Sequence, residues 1–319
     1  MKTSNSLISI IIPVYNEEQN ITFLSNALLE VIKSLPYRFE VIFIDDGSSD
    51  RTFEALQEIS KRNPQFFYLK LSRNFGHQNA VKAGIDIARG NCVISMDGDG
   101  QHPPEMIPAM LQKWEEGYHV VYTRRKETLN VGRTKRVTSN NYYRLLNSLS
   151  DVELEEGTAD FRLLDEKVAA ILRRTHEYDL FLRGLVKWVG FRQYAIDYVA
   201  PERFAGRSKY TIRKMVSFAM KGITSFSIRP LYIATYLGLV FAISAALFLP
   251  YILISYFTGS SASGWASLIT TVVFFGGLQL LIMGIIGIYI GKTFMQVKQR
   301  PHYLIQETNL YEADNIIEL

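Results

Sequence analysis

Cysteine is all but missing. Cys92 is the single one in 319 residues. It lies in an apolar run without a partner, which excludes a disulfide framework and fits a reducing compartment. No Gly-x-Gly-x-x-Gly follows the first apolar run and no Gly-Lys-Ser/Thr phosphate loop occurs, so a dinucleotide oxidoreductase and a P-loop nucleotidase are poorly supported. Net charge is slight, with 35 Lys and Arg against 31 Asp and Glu leaving +4, too small an excess to point to nucleic acid. The front of the chain, Met1-Lys-Thr-Ser-Asn-Ser6, has no apolar signal core, and the expectation is a cytosolic N-terminal region. One absence is local. Pro230 to Gly291 contains no Asp, Glu, Lys, Arg or His, a gap that ~25% charged residues would leave less than about once in a million trials. Such a stretch needs surroundings that reject charge.

What is present alternates. A short apolar, β-branched run at Leu7–Ile12 reads as a fully buried strand, and Phe39–Ile44, Phe66–Leu71, Cys92–Met96 and Val120–Thr123 read as further strands. Between them Phe23, Leu24, Ala27, Leu28, Val31 and Ile32 recur at helical spacing, with Asn20 as the expected cap. Further helices are expected from Ser49 or Asp50, through Ala88, and from about Pro104 to Glu116. Polar residues cluster just after the strand ends, which is the doubly wound α/β pattern with ligands beyond the carboxyl edge of a mostly parallel sheet. Three of those ends carry acids: Glu17, Asp45 with Asp46, and Asp97 with Asp99. A base and ribose need acceptors and a diphosphate needs a bridging cation, so the crevice fits a nucleotide bound with a divalent ion.

The Asp97-Gly-Asp99 turn organises the chain. Two carboxylates one residue apart at a strand end make a hard-oxygen site suited to magnesium or manganese, which share their remaining positions with water and substrate phosphates. Gly98 and Gly100 let backbone approach a ligand. The bland alternative is an ordinary strand-to-helix turn, where Asp and Gly are common.

Residues 126–200 are harder to read. Val137–Leu149 looks like an amphipathic helix, and Gly157–Asp165 breaks helical periodicity before a helix from Lys167 to Arg173. By pattern alone, Asp160 beside Arg162 reads as a turn with a surface ion pair, and Ala200–Tyr210 as a solvated basic loop. From Thr211 to Ser227 apolar residues share one helical face opposite Arg213, Lys214 and Lys221, as in a helix lying in a membrane interface. Leu231–Phe257 and Trp265–Gly291 are each long enough to span ~30 Å of hydrocarbon at ~1.5 Å per residue. Cations flank their outer ends, which puts both ends in the cytosol. Gly276, Gly277, Gly284, Gly287 and Gly291 offer small surfaces for a homo-oligomer through the spans. The acidic C-terminus reads as a weakly ordered tail.

Six strings in order, Pro13-Val-Tyr-Asn-Glu17, Asp45-Asp-Gly-Ser48, Asn74-Phe-Gly-His77, Asp97-Gly-Asp-Gly-Gln101, Ala159-Asp-Phe-Arg162 and Arg203-x-x-Gly-x-Ser-Lys-Tyr210, resemble the family 2 inverting glycosyltransferases of GT-A fold. More narrowly, the chain is similar to the polyprenyl-phosphate sugar synthases that act on dolichyl or undecaprenyl phosphate. The resemblance implies a GT-A catalytic domain over 1–210, an interfacial helix over 211–229, a two-helix membrane hairpin over 230–291 and a cytosolic tail over 292–319. It also implies a plasma-membrane, multi-pass enzyme with a cytosolic catalytic domain. Pro13, Tyr15, Glu17, Asp45, Asp46, Asp97, Gly98, Asp99 and Arg124 are the implied nucleotide-sugar residues. Asp97, Asp99 and Gln101 would hold Mg2+ or Mn2+, and Arg162, Arg203 and Lys209 would meet lipid phosphate or diphosphate. Asp160 with Asp99 are the implied catalytic acids. Family members often carry Asp where this chain has His102.

The expected activity is metal-dependent, inverting transfer of a hexose, glucose first, from a UDP-sugar to undecaprenyl phosphate. GlcNAc, or mannose from GDP-mannose onto dolichyl phosphate, is the variant of the same chemistry. A processive polysaccharide synthase would carry a Gln-x-x-Arg-Trp motif, of which Lys187-Trp188 is a poor echo. A non-catalytic membrane scaffold binding nucleotide-sugar or lipid would not need the Asp97-Gly-Asp99 pair.

Overall fold

The computed structural model describes residues 6–125, 155, 157–199, 222–258 and 264–310. Its elements in chain order are β1 (Leu7–Val14), α1 (Glu18–Lys33), β2 (Arg38–Asp45), α2 (Thr52–Arg62), β3 (Phe66–Leu71), α3 (His77–Ile87) and β4 (Cys92–Ser95). A 3-10 turn at Pro104–Met106 runs into α4 (Ile107–Glu115), followed by β5 (Val120–Arg125), β6 (Thr158–Asp165), α5 (Glu166–Arg173), α6 (Leu182–Trp188) and β7 (Gln193–Tyr198). Two long helices, α7 (Arg229–Phe257) and α8 (Trp265–Val297), precede the last strand, β8 (Ile305–Thr308).

One eight-stranded sheet has the order β7-β5-β6-β4-β1-β2-β3-β8. Side chains alternate across it, because successive residues of a strand face opposite sides. Ile8, Ile10 and Ile12 join Leu24, Leu28, Leu56, Met110 and Trp114 in one core. Ile11, Ile42 and Ile44 join Ala83, Ile85, Val168, Leu172 and Leu185 in the other. Helices α1, α2 and α4 therefore cover one face, and α3, α5 and α6 the other. β1 pairs in parallel with both β2 and β4, so the chain order reverses across β1 and the crevice at that reversal opens beyond the carboxyl ends.

Three findings differ from the sequence expectation. First, Thr158–Asp165 is a strand, antiparallel to both β4 and β5, with Ser95 opposite Arg162. Its direction brings its first residues, Asp160 among them, to the carboxyl end of β4. Second, the chain after α8 returns to the sheet. β8 pairs antiparallel to β3, and Glu307 accepts hydrogen bonds from Gln57 (3.1 Å) and the Tyr68 hydroxyl (3.2 Å). A stretch read as loose tail thus caps an edge strand, whose unpaired backbone groups need a partner or protection. Third, Asn20 lies inside α1 and donates to Glu17 (2.5 Å) at the N-cap position instead of capping the helix itself.

Among the described residues one helix, Ser267–Val297 within α8, is long and apolar enough to cross a membrane, while the described apolar stretch of α7 is the shorter Arg229–Ser244. Two spans are therefore not established. The end of α8 docks on the connection between α5 and α6. Lys292 pairs with Asp179 (2.8 Å), and the Gln296 amide donates to the His176 carbonyl (2.6 Å) while accepting from the Tyr178 N–H (2.6 Å). The expected helix at Val137–Leu149, the loop at Ala200–Tyr210 and most of the interfacial helix over 211–229 lie outside the described residues.

Candidate active site

The crevice is a cleft of about 490 Å³. Pro13, Val14, Tyr15 and Glu17 from the end of β1 line one side, with Asp46 after β2. Asn74, Gly76, His77 and Ala80 come from the turn into α3 and its first helical residues. Asp97, Gly98 and Asp99 follow β4, and Asp160 and Arg183 close the far side.

Local chemistry explains why each group sits there. The Asp46 carboxylate accepts the backbone N–H groups of Phe75 (2.7 Å) and Gly76 (2.9 Å), tying the end of β2 to the loop before α3. Burial raises its carboxyl above the usual range, and those two N–H groups oppose the rise. Asp45 turns away from the cleft. Its Oδ1 accepts from the Ser48 N–H (2.9 Å), and burial raises its carboxyl. Between strand and loop, Gly47 has φ +70°, and a Cβ there would stand 2.5 Å from the Arg73 carbonyl carbon. Gly47→Ala combines left-handed strain of ~1–3 kcal/mol with a backbone collision beside Asn74. We expect a fall of several degrees in the thermal midpoint and weaker nucleotide binding, measured by calorimetry. A substitution that leaves both unchanged would show that the loop position is not fixed by this turn. Gly98 is needed for space, since a Cβ would meet the Val14 side chain at 2.6 Å.

Asp97 and Asp99 share the mouth of the cleft. The backbone N–H of Gln101 donates to Asp99 (3.0 Å). His102 stacks on Phe161 at 5.2 Å between ring centroids, and its Nδ1 accepts the Asp97 N–H (2.9 Å). His102, where the sequence resemblance implied Asp, therefore braces the acid turn. Among the described residues no three Asp, Glu, His or Cys form a closed metal cage. The donor set fits a divalent cation all the same, because magnesium and manganese take one or two carboxylates and complete their shell from substrate phosphates and water.

On the far side, Asp160 receives Arg162 Nη2 (2.7 Å), Arg183 Nε (3.0 Å) and Arg183 Nη2 (2.9 Å). His77 Nε2 lies 3.7 Å from Asp160 and 3.5 Å from Asp97. Burial alone would raise the Asp160 carboxyl, but the charges of Arg183 and Arg162 and the approach of His77 hold it well below the usual carboxylate range. Burial would lower His77, yet Asp160 and Asp97 outweigh it and raise the imidazole to about 9. The pair read from pattern as a surface ion pair is thus a buried cluster, since β6 runs through the sheet interior.

Of the residues expected from sequence, Pro13, Tyr15, Glu17, Asp46, Asp97, Gly98, Asp99 and Asp160 meet in the cleft. Asp45, Gln101, Arg124 and Arg162 are not among its lining. Arg124 donates instead to Asp197 (2.8 Å), and Arg162, with 5% of its side chain exposed, lies behind Asp160. Arg203 and Lys209 lie outside the described residues. Arg183 was missed. It stands 23 residues from its partner Asp160, in a short helix whose sequence carries no motif.

Residues 9–171 match the family described as glycosyl transferase family 2. The chain is 43% identical over 301 residues to the uncharacterized glycosyltransferase YkcC of Bacillus subtilis, covering 94% of this chain and 93% of that protein. It is 37% identical over 303 residues to the SfII prophage-derived bactoprenol glucosyl transferase of Shigella flexneri, covering 95% and 98%. A solved structure, the mannosyltransferase PcManGT of Pyrobaculum calidifontis with GDP-Man and Mn2+, aligns over 93% of this chain and 86% of that one with a TM-score of 0.47 and 16% identity, a likeness that carries no functional weight. An acid-lined cleft at the carboxyl edge of a mostly parallel sheet, together with these matches, leads to one conclusion: the chain belongs to glycosyl transferase family 2 and is a glycosyltransferase.

Proposed function

We propose that the enzyme transfers a hexose, glucose first, from a UDP-sugar to undecaprenyl phosphate at the cytosolic face of the plasma membrane, with inversion. The observation that carries this reading is the division of the cleft. Acids from β1, β2 and β4 face Arg183 of α6 across the cleft, in a chain whose long apolar helix α8 docks on the connection that leads into α6. The bactoprenol glucosyl transferase named above supports the acceptor and the sugar, since 95% of this chain aligns with it.

Tyr15, Glu17, Pro13 and Asp46 would hold the base and ribose. Asp97 and Asp99, with Gln101, would hold Mg2+ or Mn2+, which when bound supplies positive charge against the diphosphate as it leaves. Asp46 keeps the loop before α3 in place, and His102 keeps the acid turn in place. The acceptor phosphate is already an anion near neutral pH, with a second pKa of about 6, so it attacks the anomeric carbon without a strong base. Its approach to a second anion needs cations, and Arg203 and Lys209 join those of the cleft in this reading. A polyprenyl tail keeps the acceptor in the bilayer, so a membrane-held enzyme raises the local concentration of its partner. Both α7 and α8 would span, and their open glycines would pack against a second copy.

Purified full-length protein, incubated with labelled UDP-glucose, undecaprenyl phosphate and Mg2+ or Mn2+, is expected to form an organic-extractable glucosyl lipid. Product only with UDP-GlcNAc, or only with GDP-mannose and dolichyl phosphate, selects the variant chemistry. No transfer from any UDP- or GDP-sugar removes the reading and leaves the scaffold.

A further inference from the structure

We propose that Arg183 is the residue that takes the acceptor's phosphate, and that Asp160 is its positioning residue rather than a base. This names one subsite of the cleft and rests on the reading above.

A general base must aim a lone pair at the proton it removes. The two Asp160 oxygens already face cationic donors, with His77 Nε2 a further 3.7 Å from Oδ2. Oδ1 faces Arg162 at 2.7 Å and Arg183 Nε at 3.0 Å, and Oδ2 faces Arg183 Nη2 at 2.9 Å. A phosphate monoester has little need of a base, but it does need a cation that can reach it. Arg162 cannot serve, because 5% of its side chain is exposed and its Nη2 is spent on the Ala159 carbonyl and Asp160. Arg183 lines the cleft with 28% of its side chain exposed.

The pairing also sets the direction of Arg183. A guanidinium is planar, and its Nε and Nη2 edge is turned to Asp160. Planarity then points the second edge, Nη1 with the outer hydrogen of Nη2, away from that carboxylate. Two parallel N–H groups on one edge match two oxygens of a phosphate. Arg162 lies behind the carboxylate, so the cluster is a backed clamp that fixes the angle of Arg183.

Position along the sheet assigns the phosphate to the acceptor. In strand order the cleft runs from β2 and β1, with Asp46 and Glu17, through β4, with Asp97 and Asp99, to β6 and α6. A nucleotide on the β1 and β2 side places its diphosphate at Asp97 and Asp99. A second phosphate then meets Arg183 on the far side. In the step this serves, an acceptor phosphate oxygen forms the bond to the anomeric carbon as the carbon–oxygen bond to UDP breaks. The electron pair leaves with UDP, and no proton has to move.

The test uses the full chain in detergent with a short polyprenyl phosphate. Calorimetry without donor reads the subsite directly, and the transfer assay reads the parent reaction. Arg183→Met is expected to weaken prenyl phosphate binding and raise its KM by about 10–100-fold, as for hydrogen bonds to a charged group, with UDP affinity within about twofold. Arg183→Lys should recover part of the loss. Asp160→Asn should raise the acceptor KM in the same way, add nothing to Arg183→Met in the double variant, and keep the acid limb of the pH–kcat profile. The inference is overturned if wild type does not bind prenyl phosphate, if Arg183→Met leaves that binding unchanged, or if UDP affinity falls in its place. Loss of kcat and of the acid limb in Asp160→Asn at unchanged acceptor KM would restore the base. Binding of prenyl phosphate without transfer of any sugar sinks the parent reading alone.

Discussion

Asp99→Ala is expected to lower kcat/KM for sugar transfer by ~10³-fold, equivalent to about 4 kcal/mol of transition-state stabilisation. In the proposed transfer negative charge gathers on the departing diphosphate, and the side of the cleft that would meet it is acidic, with Asp97 and Asp99 at its mouth. Without a bridging cation these acids would repel the group they face. Asp99 is held in place by its own turn, since its Oδ1 accepts the Gln101 N–H at 3.0 Å. Asp99→Asn keeps the shape and an acceptor oxygen but loses the charge, and it should fall nearly as far. Chelation of the wild type should mimic both variants and be reversed by added Mg2+ or Mn2+. Stability should change little, because the Asp99 carboxylate lies at the cleft and not in the core. Transfer by Asp99→Ala within tenfold of wild type would show that the pair does not hold the cation.

The first five strands and the acids after them were legible in the sequence because strands of a covered sheet leave short, largely apolar runs. The run at Leu7–Ile12 could hardly be anything else, and a polar turn follows it. β6 was not legible for a physical reason. Its sequence, Thr158-Ala-Asp-Phe-Arg-Leu-Leu-Asp165, places three charges within a strand, and local pattern counts charges as exposed. Their burial is tolerable only because Arg183, far along the chain, helps compensate Asp160. β8 failed for a related cause. Glu307 reads as solvated acid, yet it accepts from Gln57 and Tyr68, more than 230 residues away in sequence. Periodicity sees the face a residue needs. It does not see a partner supplied by another element.

Glu40 is the sharpest case of that blindness, and Glu40→Leu is expected to destabilise the domain strongly. Glu40 is 2% exposed near the start of β2, at the opposite end of that strand from Asp45 and Asp46. Its Oε1 accepts from the Ser9 hydroxyl (2.5 Å) and the Arg89 N–H (2.7 Å), and its Oε2 from Arg89 Nε (3.0 Å) and Nη2 (2.8 Å). Ser9 in turn accepts the Gly90 N–H (2.8 Å). Removing the carboxylate returns the half-exposed Arg89 side chain to water but leaves the Ser9 hydroxyl and the Arg89 N–H buried without an acceptor, at ~1–3 kcal/mol each. The expected loss is ~2–5 kcal/mol, or roughly 5–15 °C in the thermal midpoint for a catalytic domain of this size. Glu40→Gln, which keeps an acceptor for both groups, should lose less than half of that. Activity per folded molecule should hold in both variants, because no residue of this network lines the cleft. An intact midpoint in Glu40→Leu would mean the network adds nothing net. A fall in kcat at an intact midpoint would mean that the two ends of the sheet are coupled. In the proposed site the acids at the carboxyl end serve the ligand, whereas the acid at the amino end serves the fold, although the chain writes both with the same kind of residue.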